Sequence, residues 1–211
     1  MKIAVSYISS NYNEKETIKL IDNSEADYIH VDLMDGKFVE NKNFTLNNVT
    51  KLLSNTKKPL DVHLMTLKPE KYFEGLAMLN TEYITVHLEA VKNVSETLSK
   101  IKELGLKCGL SINPETDIEA IKNYLPIIDQ VLVMSVKPGK GGQEFIPEVI
   151  AKIDELINIR NEFNYSYIIS VDGGINADSV LMLKDKNIDM LVSGSYICKS
   201  DNFNKQISNL K

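Results

Sequence analysis

No stretch of this 211-residue chain approaches the ~20 consecutive apolar residues that a membrane helix needs. Met1-Lys2-Ile3 leads into an extended segment, not a signal-peptide core, so the expectation is cytoplasmic residence with no membrane partner. Cysteine is scarce: Cys108 and Cys198 lie in different segments, and two free thiols suit a reducing compartment better than a disulfide framework does. There is no run of Lys or Arg, no interleaving of basic with aromatic residues, and the net charge is −5. Nucleic acid is therefore not expected as a partner, and any bound anion has to be held locally. A glycine-rich turn after the first strand is missing too. Ser6-Tyr7-Ile8-Ser9-Ser10 stands where an open doubly wound sheet usually carries one.

What the chain does have is repetition. With 43% hydrophobic residues it can bury a full core, and no linker or composition break divides it, so residues 1–211 read as one domain. Eight short β-prone runs are expected: Ile3 to Ile8, Tyr28 to Leu33, Leu60 to Met65, Tyr83 to His87, Lys107 to Ile112, Gln130 to Ser135, Tyr167 to Asp172 and Met190 to Ser193. Amphipathic stretches of helical period lie between them, among them Glu14 to Asn23, Pro69 to Leu79, Val94 to Leu104 and Pro147 to Phe163. Gly105 is placed to close one helix and Asn176 to cap another. Eight strand-helix repeats close most economically as an α/β fold of the (β/α)₈ TIM-barrel type, whose catalytic groups sit at the C-terminal ends of the strands.

The chemistry-bearing residues obey that placement. Tyr28-Ile29-His30-Val31-Asp32-Leu33-Met34 puts His30 and Asp32 on one strand face, where they can converge on a divalent cation or, without one, move a proton. His63 closes the third run and Asp172 the seventh. A single strand-end His is more often a hydrogen-bonded structural residue, but four such groups at one rim argue for a site. Two neutral imidazoles and two carboxylates neutralise an M²⁺ ion; Zn²⁺ is the first expectation, with Fe²⁺, Mn²⁺ or Co²⁺ as alternatives. Asp61, two residues before His63, is expected below the rim, orienting the metal-binding imidazole. His87 and Glu89 read as an outer or structural pair, Asp35-Gly36 as a turn, and Met34, Met65 and Met134 as packing at the floor of the mouth.

Glycines follow three adjacent strands: Gly139, Gly141 and Gly142 around Lys140, then Gly173 and Gly174, then Gly194 before Ser195. Barrels hold phosphate with backbone N–H groups in such loops, and Ser6 on strand one lies beside strand eight once the ring closes.

The segments HVDLMDG (30–36), DVHLM (61–65), MSVKPGKGGQEFIPEV (134–149), VDGGI (171–175) and SGS (193–195), in that order, resemble those of the D-ribulose-5-phosphate 3-epimerase family. The resemblance runs from Ile3 to about Ser200. It implies that His30, Asp32, His63 and Asp172 bind one divalent ion, and that Asp32 and Asp172 are the acid/base pair inverting C3 of a phosphorylated ketose through a cis-enediolate. It also implies that Ser6, His63, Gly139 to Gly142, Gly173, Gly174, Gly194 and Ser195 contact the sugar phosphate. Lys140 is expected to help capture it electrostatically, and further copies of the chain are the expected protein partner. The sequence departs from the family pattern at Val5, Lys37, Glu40 and Lys137 to Gly142, where members usually show Pro, His, Pro and Asn-Pro-Gly-Phe-Gly-Gly. Lys140 thus replaces an aromatic cover with a charge, which leaves D-allulose 6-phosphate, one carbon longer, as an alternative substrate.

Other chemistries have weaker footing. Lys137, just past strand six, stands where barrel aldolases can place a Schiff-base lysine, but a glycine loop is a solvated setting for it. A decarboxylase of this superfamily uses an Asp-x-Lys-x-x-Asp array, and Asp32-Leu33-Met34-Asp35 offers no lysine. A sugar-phosphate sensor would have no use for the acid/base pair.

Overall fold

The computed structural model describes residues 1–211. Eight parallel strands, β1 (Lys2–Ser6), β2 (Tyr28–Met34), β3 (Leu60–Met65), β4 (Thr81–His87), β5 (Lys107–Ile112), β6 (Gln130–Met134), β7 (Ile168–Asp172) and β8 (Met190–Ser193), close into a barrel in chain order, with β8 pairing back onto β1. Around it run α1 (Glu14–Asp22), α2 (Leu46–Leu53), α3 (Glu70–Ala77), α4 (Val94–Glu103), α5 (Val149–Phe163), α6 (Ala177–Leu183), α7 (Ser195–Cys198) and α8 (Phe203–Ser208). This is the expected (β/α)₈ barrel, with two local differences. The link between β5 and β6 is a 3₁₀ helix, Ile118–Tyr124, and not an α-helix. β1 stops at Ser6, not at Ile8, and Tyr7 turns outward to pack its ring against Phe44, 5.5 Å between centroids.

Local chemistry explains the helix ends. Asn13, Asn93 and Asn202 each accept the backbone N–H of the residue three further on, satisfying a donor the helix leaves open. Asn176 does the same for α6 within a full capping box with Ser179. Gly105, at φ +77°, ends α4 in a conformation that a side chain would strain.

The two faces of the barrel strands have different tasks. Outward residues such as Ile29, Val31, Leu33, Val62, Leu64, Ile84 and Val86 merge with the inner faces of the helices into one apolar layer of 47 buried residues. That two-sided burial is why the strands read as nearly unbroken apolar runs. Inside the barrel, Ala4, Leu132, Met134, Met190 and Val192 form a smaller apolar cluster with Tyr28 and Tyr83. Asp61, Thr85, Gln130 and Ser170 are buried polar groups. At the N-terminal end, Tyr28 donates to Glu82, which also takes Lys107, and the Tyr28 and Tyr83 rings meet edge to face.

Gly109 marks how tightly this interior is filled: a Cβ there would lie 2.1 Å from Thr85 Oγ1 and 3.0 Å from Thr85 Cβ. Gly109→Ala is expected to cost about 1–3 kcal/mol, the usual range for overpacking. Adding Thr85→Ala to it should restore much of the loss. Urea melts of the two single variants and the double variant check this, and strictly additive effects would count against it.

Candidate active site

Alternation along β2 sends His30, Asp32 and Met34 inward, and parallel pairing sets Asp32 opposite His63 on β3. Asp172, last residue of β7, reaches the same point from across the ring, three strand steps away. One ligand atom from each of His30, Asp32, His63 and Asp172 falls within 4.8 Å of the others. His30 Nε2 lies 3.3 Å from Asp32 Oδ1 and 3.8 Å from Asp172 Oδ2, while His63 Nδ1 lies 3.1 Å and 3.7 Å from the same two oxygens. Both imidazoles are fully buried, and His30 Nε2 has no hydrogen-bond partner. A buried, unpartnered imidazole nitrogen facing two carboxylates suits a divalent cation, and the set of two nitrogens and two oxygens is one that such ions accept.

The electrostatics of the cluster point the same way. Burial works against charge on Asp32, but the neighbouring His30 holds its carboxyl well below the usual range. Burial and the neighbouring Asp32 charge push Asp172 up to about 7. Burial also opposes charge on His30, yet Asp32 and Asp61 raise it well above its ordinary value. The cluster thus gathers positive charge, and one of its two carboxylates tends to take a proton.

Several contacts hold the cluster in place. Asp61 accepts His30 Nδ1–H at 2.7 Å and Gln130 Nε2–H at 3.2 Å, so it orients the imidazole of the adjacent strand and not His63 on its own strand. Ser6, expected on the substrate, donates to Asp32 Oδ2 at 2.7 Å and also borders the mouth. Asn43 donates to the Asp32 carbonyl and accepts the Met34 N–H, bracing the end of β2. Nothing in the sequence marks Asn43, which is one more asparagine in a polar loop. His63 Nε2 meets His87 Nε2 at 2.8 Å, and His87 Nδ1 lies 3.2 Å from Glu89 Oε2.

Above the cluster opens a cleft bordered by Ser6, Asp32, Asp172, Gly139, Lys140, Gly141, Gly142, Gly173, Gly174, Gly194 and Ser195. His30 and His63 lie beneath it. The three glycine loops therefore share one rim. Gly174, at φ +64°, lets two of them touch, because a Cβ there would stand 2.4 Å from Phe145 N. Gly139, at φ +103°, leaves room for Val39 from the loop after β2, whose Asn41 donates to the Gly139 carbonyl at 2.7 Å. Lys137 and Lys140 are both exposed.

A model of the "Ribulose-phosphate 3 epimerase family" matches residues 2–198. The chain belongs to that family. As a ribulose-phosphate 3-epimerase family member it is an isomerase, an epimerase of carbohydrate phosphates. It is 39% identical over 212 residues to ribulose-phosphate 3-epimerase of Synechocystis sp., covering 99% of this chain and 92% of that protein. It is 35% identical over 216 residues to the enzyme of the same name from Bacillus subtilis, covering 100% and 98%. Among solved structures, a ligand complex of KGPDC from Streptococcus mutans superposes with a TM-score of 0.72 at 13% identity, covering 99% of this chain and 94% of that one. That likeness speaks to the barrel alone. No helix of the protein is long and apolar enough to cross a membrane.

Gly174→Ala should force the loops after β6 and β7 apart while leaving the carboxylates in place. The expected outcome is a rise in KM for a phosphorylated ketose of about ten-fold, equivalent to ~1.4 kcal/mol, with kcat little changed. Steady-state kinetics, with circular dichroism to confirm the fold, provide the check.

Proposed function

We propose that the protein interconverts D-ribulose 5-phosphate and D-xylulose 5-phosphate by moving a proton at C3, with one divalent ion, Zn²⁺ in the first instance, held by His30, Asp32, His63 and Asp172. The observation that carries this is the convergence of two imidazoles and two carboxylates within 4.8 Å beneath a mouth rimmed by three glycine loops. The ion, when bound, supplies Lewis-acid stabilisation of the negative charge that grows as C3 loses its proton. The remaining work falls to the chain's own groups.

Asp32, ionised at neutral pH, takes the C3 proton from one face. Asp172, whose burial beside Asp32 favours the protonated form, returns a proton to the other. Each turnover leaves the proton on Asp32 and Asp172 ionised, the state ready for the opposite epimer, and exchange with solvent resets the pair. Backbone N–H groups of the loops around Gly141, Gly173 and Gly194 suit the phosphate, with the exposed Lys140 amine adding local positive charge to an acidic protein. Lys140 at the mouth, in place of an aromatic cover, also keeps D-allulose 6-phosphate as a second reading. Lys137 is exposed and lacks the burial that activates a Schiff-base lysine, so the aldolase alternative gains no support. Cytoplasmic residence and self-association complete the proposal, the latter to be read by light scattering.

The protein should hold about one divalent ion per chain by elemental analysis, and chelation should abolish turnover. Incubation with each of the two ketose phosphates, with Zn²⁺, Fe²⁺, Mn²⁺ or Co²⁺ restored, and readout of C3 configuration identifies substrate and metal together. A fully active, metal-free preparation would overturn the metal assignment.

Asp32→Asn and Asp172→Asn should each lower turnover by at least roughly 10²–10⁴. Metal content has to be measured in both, since each residue is also a proposed ligand. With metal retained, each variant should exchange the C3 hydrogen of one epimer with solvent deuterium without converting it, and the two should prefer opposite epimers. Identical exchange patterns would rule out the two-carboxylate scheme.

A further inference from the structure

One group of polar contacts remains outside the proton-transfer scheme: His87, at the end of β4, and Glu89, two residues beyond it. His87 is fully buried. The Phe38 ring covers its imidazole at 4.8 Å between centroids. Its Nε2 is 2.8 Å from His63 Nε2, a distance that requires a single proton between the two nitrogens. Its Nδ1 is 3.2 Å from Glu89 Oε2.

We propose that Glu89 and His87 form a relay that fixes the proton of His63 on Nε2 and so presents a bare Nδ1 to the divalent ion in the His30, Asp32, His63 and Asp172 cluster. Both are positioning residues, and the inference rests on the metal reading of that cluster given above. The proton order follows from the carboxylate end. An ionised carboxylate only accepts, so His87 donates to Glu89 from Nδ1. A neutral His87 is then bare at Nε2 and accepts the Nε2 proton of His63. His63 is left with its lone pair at Nδ1, 3.1 Å from Asp32 Oδ1, itself an acceptor. Two acceptors face to face in a buried site call for a cation between them. In the absence of the relay, His63 would answer Asp32 by carrying its proton on Nδ1, and that nitrogen would be closed to a metal.

Glu89 is itself anchored. Its Oε1 accepts the Asn113 N–H at 2.9 Å and the Thr116 hydroxyl, both from the loop after β5. Lys152 Nζ, on α5, donates to the carbonyls of Pro114 and Thr116 in that same loop. The contact with His87 and the two loop donors hold Glu89 down at about 2 against its partial burial, so its carboxylate is ionised.

The test compares the intact protein with Glu89→Gln, Glu89→Leu and His87→Phe. Each is stripped of metal and titrated with Zn²⁺ against a competing chelator. Outer hydrogen-bond partners of metal-bound histidines typically set affinity by about 10–100-fold. Glu89→Leu and His87→Phe should weaken Zn²⁺ binding by about that factor, and Glu89→Gln, which keeps an acceptor but loses the charge, by less. Urea melts of the stripped proteins separate this effect from general loosening of the fold. A second measurement needs no variant: in the zinc-loaded wild type, long-range ¹H–¹⁵N correlation of labelled histidine should show His87 protonated at Nδ1 and His63 at Nε2. His87 protonated at Nε2, or Zn²⁺ affinity within about three-fold of wild type in folded Glu89→Leu and His87→Phe, overturns the relay. Failure of the wild type to bind Zn²⁺ overturns the metal reading of the cluster, and the relay with it.

Discussion

Two carboxylates and two imidazoles packed within 4.8 Å, three of them almost wholly buried, repel or starve one another unless positive charge lies among them. Much of the polar architecture around them answers that constraint. Asp61 secures His30 from the neighbouring strand, Ser6 fills the second oxygen of Asp32, and Asn43 pins the backbone at both Asp32 and Met34. These bonds fix the positions of His30 and Asp32 within the cluster. They leave His30 Nε2 without a partner, and a group so exposed to its neighbours' charge has its proton affinity set by them.

The barrel interior is correspondingly lopsided. Strands β1, β6 and β8 contribute Ala4, Leu132, Met134, Met190 and Val192 to an apolar wedge that Tyr28 and Tyr83 extend, while β2, β3, β4, β6 and β7 bring the polar His30, Asp61, Thr85, Gln130 and Ser170. Polar side chains below the rim weaken the apolar core that a barrel normally has there. The loss is offset outside the strands, where the apolar layer against the helices is continuous.

How much of this the sequence revealed follows from what kind of information each feature needs. The eight strands and the inward placement of His30 and Asp32 are local: an apolar run of period two declares both. The partner of Asp61 is not. It depends on the register that sets His30 beside Asp61 on β2 and β3, and a reading confined to one strand assigns Asp61 to His63 instead. Ser6 lies on the rim as its strand position implies, but that its hydroxyl turns to Asp32 depends on side-chain packing across strands. The contact between His63 and His87 likewise joins two strands, and Asn43 lies in a loop whose path no period describes. The 3₁₀ helix after β5 shows the limit from the other side, since apolar spacing at Ile118 and Ile121 fits either kind of turn.

The residues of the cluster sit on β2, β3 and β7, and the glycine loops follow β6, β7 and β8, so the two sets share only β7. Lys137 and Lys140 both lie in the glycine loop after β6, while His30, His63 and Asp32 belong to the cluster. A barrel laid out in this way can be altered piecemeal: a substitution in the loops after β6 or β8 leaves the four clustered side chains on their own strands. The joint between them is Asp172-Gly173-Gly174, where the last member of the cluster runs directly into the glycine loop after β7.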